Sequence, residues 1–428
     1  MNQHDVPKRD DAKRVADFQR LLEVTRYLGA TVELGALLAR IAEAGTAVLD
    51  CERATVFILD RATNELYSRF ATGVAESGMQ EIRFPATLGI AGEVARTGQL
   101  VNVPEAYADP RFNPEVDRKS GFRTHNILTC PLRDHDNSIV GVLQLLNKRG
   151  RPFDARDEEL AYYLGAQAGV AVQRQMLLEH FAQKQQMQRD LNIARQIQQG
   201  LLPSENPKVA GFDAAGWNQP ADETGGDCFD FMTLPDGKLA LAIADATGHG
   251  IGPALVIAEC RALFRATILR TTDLARVVTD VNYLLHEDLP DDRFVTAFFG
   301  VLDPKACTVD MISGGHGPIL WFEGATGQIT EIEPQGLPLG VMDGIEYDPP
   351  ERRTFAPGDM LALITDGFFE WARADGEQFG TDRIYELLRI HRERPAAEII
   401  ARIYEAVRAF APGTKQGDDL TAVIVKRT

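Results

Sequence analysis

The spacing of apolar residues in the first third of the chain changes from helical to strand-like. Apolar side chains recur every three or four positions over 15–28 and 34–49, which predicts two amphipathic helices. We expect a short helix at 89–98 and a polar loop at 106–121. Short β-prone runs bounded by Gly, Pro, Asn and Asp occur at 53–59, 65–71, 80–84, 126–132 and 139–146. Together these elements predict an α+β domain.

The segment after this domain is predicted to be one long helix. The pattern is helical from Asp154 to about residue 202, with no Pro in between. Four apolar residues fall at coiled-coil-like spacings of four, three and seven: Met187, Leu191, Ala194 and Leu201. Two interpretations stay open, a dimerising linker and a helix packed on a flanking domain.

A second unit of many short strands begins after Pro203, which ends the helix. Strands are predicted at 211–218, 228–234, 238–244, 293–302, 307–312, 318–323, 328–332, 359–365 and the final LTAVIV. Helices are predicted at 251–270, 273–289, 381–391 and 396–410. This pattern indicates a β-sandwich covered by helices. We therefore divide the chain into a flexible tail, a first domain, a helical linker and a second domain: 1–13, 14–172, 173–203 and 204–428.

Composition narrows the class of protein. Of 428 residues, 44% are hydrophobic and 25% are charged, as in a folded protein. A net charge of −17 argues against binding to nucleic acid or to an anionic membrane. With no signal peptide and no apolar run of membrane-spanning length, we expect a cytosolic protein. Five widely spaced cysteines are expected to be reduced thiols and not disulfides or zinc ligands: Cys51, Cys130, Cys228, Cys260 and Cys307.

Aspartates stand at the ends of apolar strands in the second unit. Asp245 closes KLALAIAD and Asp366 closes MLALITD. Asp227 opens DCFDFM, and Asp418 with Asp419 opens DDLTAVIV. Each of them alone is more typical of a turn than of a site. Carboxylates at four strand ends near one core would repel each other, and a divalent cation is the simplest agent that makes the cluster favourable.

The ligand chemistry of this cluster favours Mg²⁺ or Mn²⁺. All-oxygen ligands without an organised His or Cys set suit these ions better than zinc. Gly248 and Gly250 follow Asp245 closely and would let backbone carbonyls approach an ion. Because two such ions can activate a water and clamp a phosphoryl group, the residues alone predict a metal-dependent phosphohydrolase.

Seven motifs occur in order along the second unit: ARQIQQGLLP (194–203), PADETGGDCFD (220–230), IADATGHGIGPAL (243–255), FVTAFFGVLD (294–303), SGGHGP (313–318), GDMLALITDGFFE (358–370) and GDDLTAVIV (417–425). This series resembles the SpoIIE-type branch of the metal-dependent serine/threonine protein phosphatases, the PP2C-like (PPM) superfamily. The resemblance covers 194–428. It implies a central β-sandwich flanked by helices, with two Mn²⁺ or Mg²⁺ ions at one edge.

The same resemblance assigns roles by motif. Asp245 would bridge both ions, and the backbone carbonyl of Ala246 would bind the second ion. Asp366 and Asp418 would hold the first ion, and Asp227 would lie on the side of the second.

The resemblance gives no ligand or catalytic role to Asp419, His249 or His316, and one family residue is absent. Asp419 is a neighbour of the ligands. Eukaryotic members carry an arginine for the substrate phosphate, and because none stands in 216–230, phosphate binding would rest on the metals. His249 and His316 are expected to be structural rather than proton-transferring residues.

The first domain resembles a GAF domain of the cyclic-nucleotide phosphodiesterase type over about 30–172, on the segment FPATLGIAGEVARTGQLVNVPEAYADPRFNPEVDRKSGFRTHNILTCPLRD. Such domains are six-stranded sheets with a small-molecule pocket, and they often dimerise. A further motif marks many cyclic-nucleotide-binding members: Asn147, Lys148, Phe153, Asp157 and Glu158. The resemblance implies that its lysine and aspartate pair as a structural salt bridge. Binding of cyclic GMP or cyclic AMP, binding of another ligand, and pure dimerisation all stay open.

The sequence as a whole predicts a homodimeric signalling phosphatase in which a GAF domain senses a small-molecule effector. The resemblance suggests that the substrate is phosphoserine or phosphothreonine on a STAS-domain anti-sigma-factor antagonist. One alternative is a catalytically idle phosphatase-fold scaffold that binds in response to the effector. Another is a phosphodiesterase, which is disfavoured because its histidine–aspartate metal constellation is absent among eight scattered histidines.

Overall fold

The computed structural model describes residues 33–68, 82–248, 250–290 and 292–428, together with four helical positions at 19, 22, 23 and 26. The predicted tail 1–13 and most of the predicted helix 15–28 lie outside these residues. Two compact units divide the chain, Met1–Gln185 and Gln186–Thr428. No helix in the described ranges is both long and apolar enough to cross a membrane.

The first unit contains a six-stranded antiparallel sheet in the order β3-β2-β1-β6-β5-β4. Its strands are β1 (Cys51–Asp60), β2 (Glu65–Ser68), β3 (Ile82–Pro85), β4 (Val101–Val103), β5 (Ile127–Arg133) and β6 (Ile139–Lys148). Its helices are α1 (Leu34–Leu49), α2 (Gly89–Thr97), α3 (Glu115–Ser120) and α4 (Ala155–Leu201), of which α4 continues into the second unit.

The predictions for this unit are largely confirmed. The helix at 34–49 and the five predicted strands are present, the strand at 65–71 being described only to Ser68. The polar loop predicted at 106–121 is wrong in part, because it contains a 3₁₀ turn at Ala106–Ala108 and the helix α3. Strand β4 was not predicted, since three residues are too few to show an alternating pattern.

A buried ion pair joins the end of β6 to the start of α4. Lys148 Nζ lies 3.0 Å from Asp157 Oδ1, and the two side chains are only 10% and 4% exposed. The other carboxylate oxygen of Asp157 accepts a hydrogen bond from Arg151 at 2.6 Å and from the backbone N–H of Asp154 at 3.0 Å. This geometry confirms the structural salt bridge that the motif implied.

The remaining polar residues of this motif also bind within the protein. Asn147 accepts a hydrogen bond from the backbone N–H of His125 at 2.6 Å and donates to the carbonyl of Arg123 at 2.8 Å. Glu158 accepts from Asn102 at 2.8 Å. The motif therefore fixes the end of the sheet against neighbouring segments.

The second unit is a sandwich of two antiparallel sheets, in the orders β15-β12-β11-β10-β9 and β14-β13-β16-β17-β8-β7. Its strands are β7 (Lys208–Val209), β8 (Phe212–Gln219), β9 (Asp227–Thr233), β10 (Leu239–Ala246), β11 (Val295–Asp303), β12 (Thr308–Gly314), β13 (Ile319–Phe322), β14 (Ile329–Ile332), β15 (Glu351–Thr354), β16 (Met360–Ile364) and β17 (Leu420–Arg427). Its helices are α5 (Ile251–Ile268), α6 (Leu274–Asp288), α7 (Asp366–Phe369), α8 (Thr381–His391) and α9 (Ala396–Phe410).

Helices cover both outer faces of this sandwich, as predicted. One core lies between the sheets and includes Phe298 and Leu363. A second core packs α5 and α6 on the five-stranded sheet, and a third packs α8 and α9 on the six-stranded sheet. Strands β7 and β15 and the short helix α7 were not predicted. The fold is thus a mixed α+β sheet domain followed by a helix-flanked β-sandwich, which confirms the predicted fold class.

The ion pair of Asp157 makes stability depend on pH. Burial opposes ionisation of Asp157, but the Asp154 N–H and the Arg151 and Lys148 cations outweigh it and hold its pKa below the usual value. The stabilisation is complete above the unfolded pKa of about 3.9 and is lost as pH falls through the lower folded pKa. We expect Asp157→Asn to destabilise the first unit at pH 7 by about 3 kcal/mol, because Lys148 stays buried without its partner. Urea unfolding with hydrogen exchange of the β6 amides measures this loss.

Asp50→Asn is the matched control, because Asp50 pairs with Arg149 on the surface, where both side chains are 62% exposed. Its free energy of unfolding should stay within about 0.5 kcal/mol of the wild-type value. Between pH 5 and about pH 3, the wild-type chain should lose more stability than Asp157→Asn. Equal stability of Asp157→Asn and wild type at pH 7 would contradict the role of the pair.

Candidate metal centre

Alternation along β10 places Asp245 on the inner face of the sandwich. In LALAIADA, Ala240, Ala242 and Ala244 pack toward the helices α5 and α6. Leu241 and Ile243 pack into the core between the sheets. Because successive side chains of a strand point to opposite faces, Asp245 shares the inner face.

Asp227 lies directly opposite Asp245 in the neighbouring strand. The two residues are Cα partners in the antiparallel register of β9 and β10. Phe229, two residues along β9, belongs to the core between the sheets, so Asp227 also faces inward. Asp227 is 4% exposed, whereas Asp245 is half-buried. The structure therefore brings these two predicted residues together.

The opposite sheet holds the carboxylate of Asp227. Thr365 donates its hydroxyl hydrogen bond to Asp227 Oδ2 at 2.9 Å, and Thr421 donates to the same oxygen at 2.7 Å. Thr365 follows β16 and Thr421 lies in β17, whose inward-facing residues include Leu363 and Val423. The aspartate of one sheet is thus oriented by two hydroxyl groups of the other.

Asp366 and Asp418 approach the same edge from the six-stranded sheet. Asp366 is half-buried and opens α7 two residues after β16, and Asp418 is exposed two residues before β17. Strands β16 and β17 are neighbours, with Ile364 opposite Ala422. Asp418 accepts a hydrogen bond from the backbone N–H of Asp419 at 2.8 Å.

The pKa shifts show that these carboxylates influence each other. Burial, followed by the charges of Asp366 and Asp418, raises the pKa of Asp245 to about 7. Burial and the charge of Asp418 raise the pKa of Asp366. For Asp227, burial and the charges of Asp245 and Asp419 raise the pKa well above its usual value. All four predicted aspartates therefore belong to one electrostatically coupled group.

Asp419 has a larger structural role than the sequence suggested. It is 5% exposed, and its Oδ1 accepts from the backbone N–H of Ala221 at 2.7 Å. Its Oδ2 accepts from the N–H groups of Gly226 at 2.5 Å and Asp227 at 3.3 Å. A Cβ at Gly225 would lie 2.4 Å from this oxygen, so the double glycine is required for the carboxylate to reach the turn. The double glycine before Asp227 was the available sequence signal.

Ala246, the predicted carbonyl ligand, lies beside the same turn. Its backbone N–H donates to the carbonyl of Gly226 at 2.9 Å. A Cβ at Gly226 would lie 2.7 Å from the Ala246 carbonyl oxygen and 3.2 Å from that of Gly248, so only glycine leaves these carbonyls room. Gly248 itself has a φ of 90°, in the region that favours glycine.

Arg293 stabilises Thr247, the residue after Ala246, and was not identified from the sequence. Its Nη1 donates to the carbonyl of Thr247 at 2.8 Å. Arg293 lies outside the segment 216–230, in which an arginine would have been expected, and stands just before β11, the strand that pairs with β10. Only the pairing of strands shows that this arginine lies beside the turn after Asp245.

The donor set of this edge fits a hard divalent cation by its chemistry. In the described part of the chain, no group of three or more His, Cys, Asp or Glu side chains is arranged as a ready metal site. Asp227 and Asp419 are instead held by hydroxyl and backbone donors. The remaining candidates offer oxygen atoms only: Asp245, Asp366, Asp418 and the Ala246 carbonyl. A cation would relieve the repulsion among these carboxylates.

The structure describes only one of the two histidines of the motifs, His316. His316 is 2% exposed, and burial lowers its pKa to about 4, so its ring is neutral at pH 7. Its backbone N–H and carbonyl both bond to the hydroxyl of Ser313, which fixes the loop after β12. His249 lies outside the described residues. The five cysteines are free thiols, as predicted.

Comparisons with curated proteins reach only part of this chain. A probable 3′,5′-cyclic phosphodiesterase of Caenorhabditis elegans is 32% identical over 179 residues, which are 40% of this chain and 24% of that protein. A cGMP-specific 3′,5′-cyclic phosphodiesterase of Drosophila melanogaster is 39% identical over 127 residues, 29% of this chain and 11% of that protein. The matched regions thus span a quarter or less of these relatives.

Two solved structures are similar to this chain. The PP2C domain of SiaA from Pseudomonas aeruginosa has a TM-score of 0.51 at 22% identity, covering 58% of this chain and 99% of that chain. This likeness supports the fold. The PP2C phosphatase domain of SpoIIE from Bacillus subtilis, solved with a fragment of its regulatory domain, gives 0.46 at 14% identity, covering 98% and 88%.

Family models assign both parts of the chain. The model described as GAF domain matches residues 33–172, and the model described as stage II sporulation protein E (SpoIIE) matches 235–428. The first part of the chain is thus similar to GAF domains and the second part to the SpoIIE family, and the likeness to the SiaA domain agrees with a PP2C-like fold of the second unit.

Proposed function

We propose that the second unit is a metal-dependent phosphatase that hydrolyses phosphoserine or phosphothreonine on a regulatory protein. The observation that carries this proposal is the coupled group Asp227, Asp245, Asp366 and Asp418 at the meeting edge of the two sheets. Three of these aspartates lie in the part matched by the SpoIIE model, and Asp227 pairs directly with one of them.

Some residues of this edge would bind the metal ions, and others orient the binding residues. Asp245, Asp366, Asp418 and the Ala246 carbonyl would hold two Mg²⁺ or Mn²⁺ ions, with Asp227 on the side of the second ion. When bound, such ions supply Lewis acidity and an activated water. The threonine hydroxyl groups orient Asp227, and Arg293 holds the turn after Asp245.

The substrate and the regulator belong to the same proposal. By resemblance, the substrate is a phosphorylated STAS-domain anti-sigma-factor antagonist, which should then be hydrolysed with a higher kcat/KM than a phosphoserine peptide. The GAF domain would bind a small effector, and α4 would transmit the change. The idle scaffold is not favoured, because the aspartates and the glycines that make room for them are all present.

Asp245→Asn and Asp366→Asn should each lower hydrolysis of a phosphoserine peptide by on the order of 100-fold or more, because each removes a metal ligand. The measurement is phosphate release by the full-length chain with EDTA, Mg²⁺ or Mn²⁺. Asp236→Asn is the matched control, since Asp236 lies in the turn at the other end of the same hairpin. Turnover near the wild-type rate in either ligand variant at saturating Mn²⁺ would overturn the site assignment.

Cyclic GMP or cyclic AMP is the proposed class of effector. The matches to cyclic-nucleotide phosphodiesterases and to the GAF model support this proposal. Titration calorimetry of the full-length chain should show saturable binding of one cyclic nucleotide and none of 5′-GMP. The bound nucleotide should also change the rate of phosphopeptide hydrolysis. If neither cyclic nucleotide produced binding heat at millimolar concentration, the proposal would be contradicted. The remaining functions of the GAF domain would then be binding of another ligand or dimerisation alone.

We also propose that the chain is a homodimer through the GAF domain and the linker, both of which contribute to helix α4. Four apolar side chains on one stripe of its first half are 40–61% exposed: Tyr163, Val170, Leu177 and Phe181. Light scattering at micromolar concentration should give the mass of two chains, and Leu177→Glu combined with Phe181→Glu should give that of one. A wild-type mass of one chain would contradict the dimer.

A further inference from the structure

The C-terminal end of α4 pairs with the glycine turn that precedes Asp227. Gln198 Oε1 accepts a hydrogen bond from the backbone N–H of Gly225 at 3.0 Å, and Gln198 Nε2 donates to the carbonyl of Gly225 at 2.6 Å. One carboxamide thus satisfies both backbone groups of one residue. A side-chain amide offers the donor and the acceptor that this arrangement needs, and it does so without a change of protonation.

A second glutamine of α4 contacts the same loop. Gln188 Nε2 donates to Glu223 Oε1 at 3.0 Å. Gln188, Gln198 and the loop all belong to the second unit, so both contacts lie inside one compact body. Two glutamines nearly three turns apart on α4 therefore both contact the segment that leads to Asp227.

The glycine turn is bonded directly to the residues that carry the candidate ligands. Gly225 lies against the Asp419 carboxylate, and the next residue, Gly226, donates its N–H to that carboxylate. The carbonyl of Gly226 accepts from the N–H of Ala246. Asp227 follows directly. A displacement of Gly225 would therefore move Asp227 and the Ala246 carbonyl together.

We propose that Gln198 is a positioning residue for divalent metal binding at this edge. It holds the 225–227 turn in the conformation that presents Asp227 and the Ala246 carbonyl. Because α4 is continuous from Ala155 in the first unit to Leu201 in the second, a shift of the helix would break these two hydrogen bonds and lower metal affinity. This inference rests on the proposed function only in taking the bound ion to be that of the phosphatase.

The test compares Mn²⁺ binding by the full-length wild-type chain with that of Gln198→Ala and Gln198→Glu. Alanine removes both hydrogen bonds, whereas glutamate keeps the size but places an acceptor oxygen against the Gly225 carbonyl. Gln196→Ala is the matched control, because Gln196 is exposed on the same helix and points away from Gln198. Mn²⁺ affinity is measured by calorimetry and by the electron paramagnetic resonance of free Mn²⁺, with thermal unfolding to check the fold.

We expect both Gln198 variants to bind Mn²⁺ about tenfold more weakly, as the loss of two hydrogen bonds predicts. Gln196→Ala should stay within about twofold of wild type. In hydrolysis of p-nitrophenyl phosphate, the Mn²⁺ concentration for half-maximal rate should rise in parallel, with kcat at saturating metal nearly unchanged. A merely structural contact would instead lower the unfolding temperature and leave the metal titration unaltered.

Two outcomes would overturn the inference: folded Gln198→Ala with wild-type Mn²⁺ affinity, or a wild-type chain that binds no Mn²⁺. A wild-type chain that binds Mn²⁺ but hydrolyses no phosphoester would refute the proposed function alone. The binding comparison would still decide the role of Gln198 in that case.

Discussion

The buried carboxylate of Asp419 ties the two sheets of the second unit together at the edge where the candidate ligands lie. It precedes β17 of the six-stranded sheet and accepts hydrogen bonds from the N–H groups that lead into β9 of the five-stranded sheet. A buried carboxylate without such donors would cost several kcal/mol. Backbone and carboxylate therefore fix each other, and this requires glycine at 225 and 226, where a Cβ would collide with the Asp419 side chain or the Ala246 carbonyl.

Asp227, in the five-stranded sheet, is likewise held by donors from the six-stranded sheet. Its carboxylate accepts from Thr365 and Thr421, and the hydroxyl of Thr365 in turn accepts from the N–H of Thr421. These contacts hold Asp227 where burial and Asp245 both disfavour its charge. Asp245 and Asp366 lie beside further carboxylates that raise their pKa values, and a cation would relieve this repulsion. Hydrogen-bond donors of the protein thus hold Asp227, whereas Asp245 and Asp366 are candidate oxygen ligands for an ion.

The sequence predicted those parts of the fold whose apolar periodicity is strong. The helix at 34–49 and the alternating strand β10 follow directly from side-chain spacing, and the parity of β10 also determines the face on which Asp245 lies. Strand β15, with the sequence ERRT, carries no apolar pattern and depends on pairing with β12. In the same way, only packing distinguishes the exposed Asp418 from the buried Asp419, since the two are adjacent and chemically identical.

The contacts that anchor the turns beside the candidate ligands could not be predicted from the sequence, because they join distant residues. Gln198 and Gly225 are 27 positions apart, and Arg293 and Thr247 are 46 apart. Each anchors a turn next to a candidate ligand, and neither belongs to a recognisable ligand pattern. An effector can shift an equilibrium only by its difference in affinity between two states. Because the loss of the two hydrogen bonds at the end of α4 is expected to weaken metal binding about tenfold, or about 1.4 kcal/mol, a comparable effector binding energy would suffice to change the occupancy of the proposed metal site. The proposed coupling at the glycine turn would therefore need no rearrangement of the sandwich core.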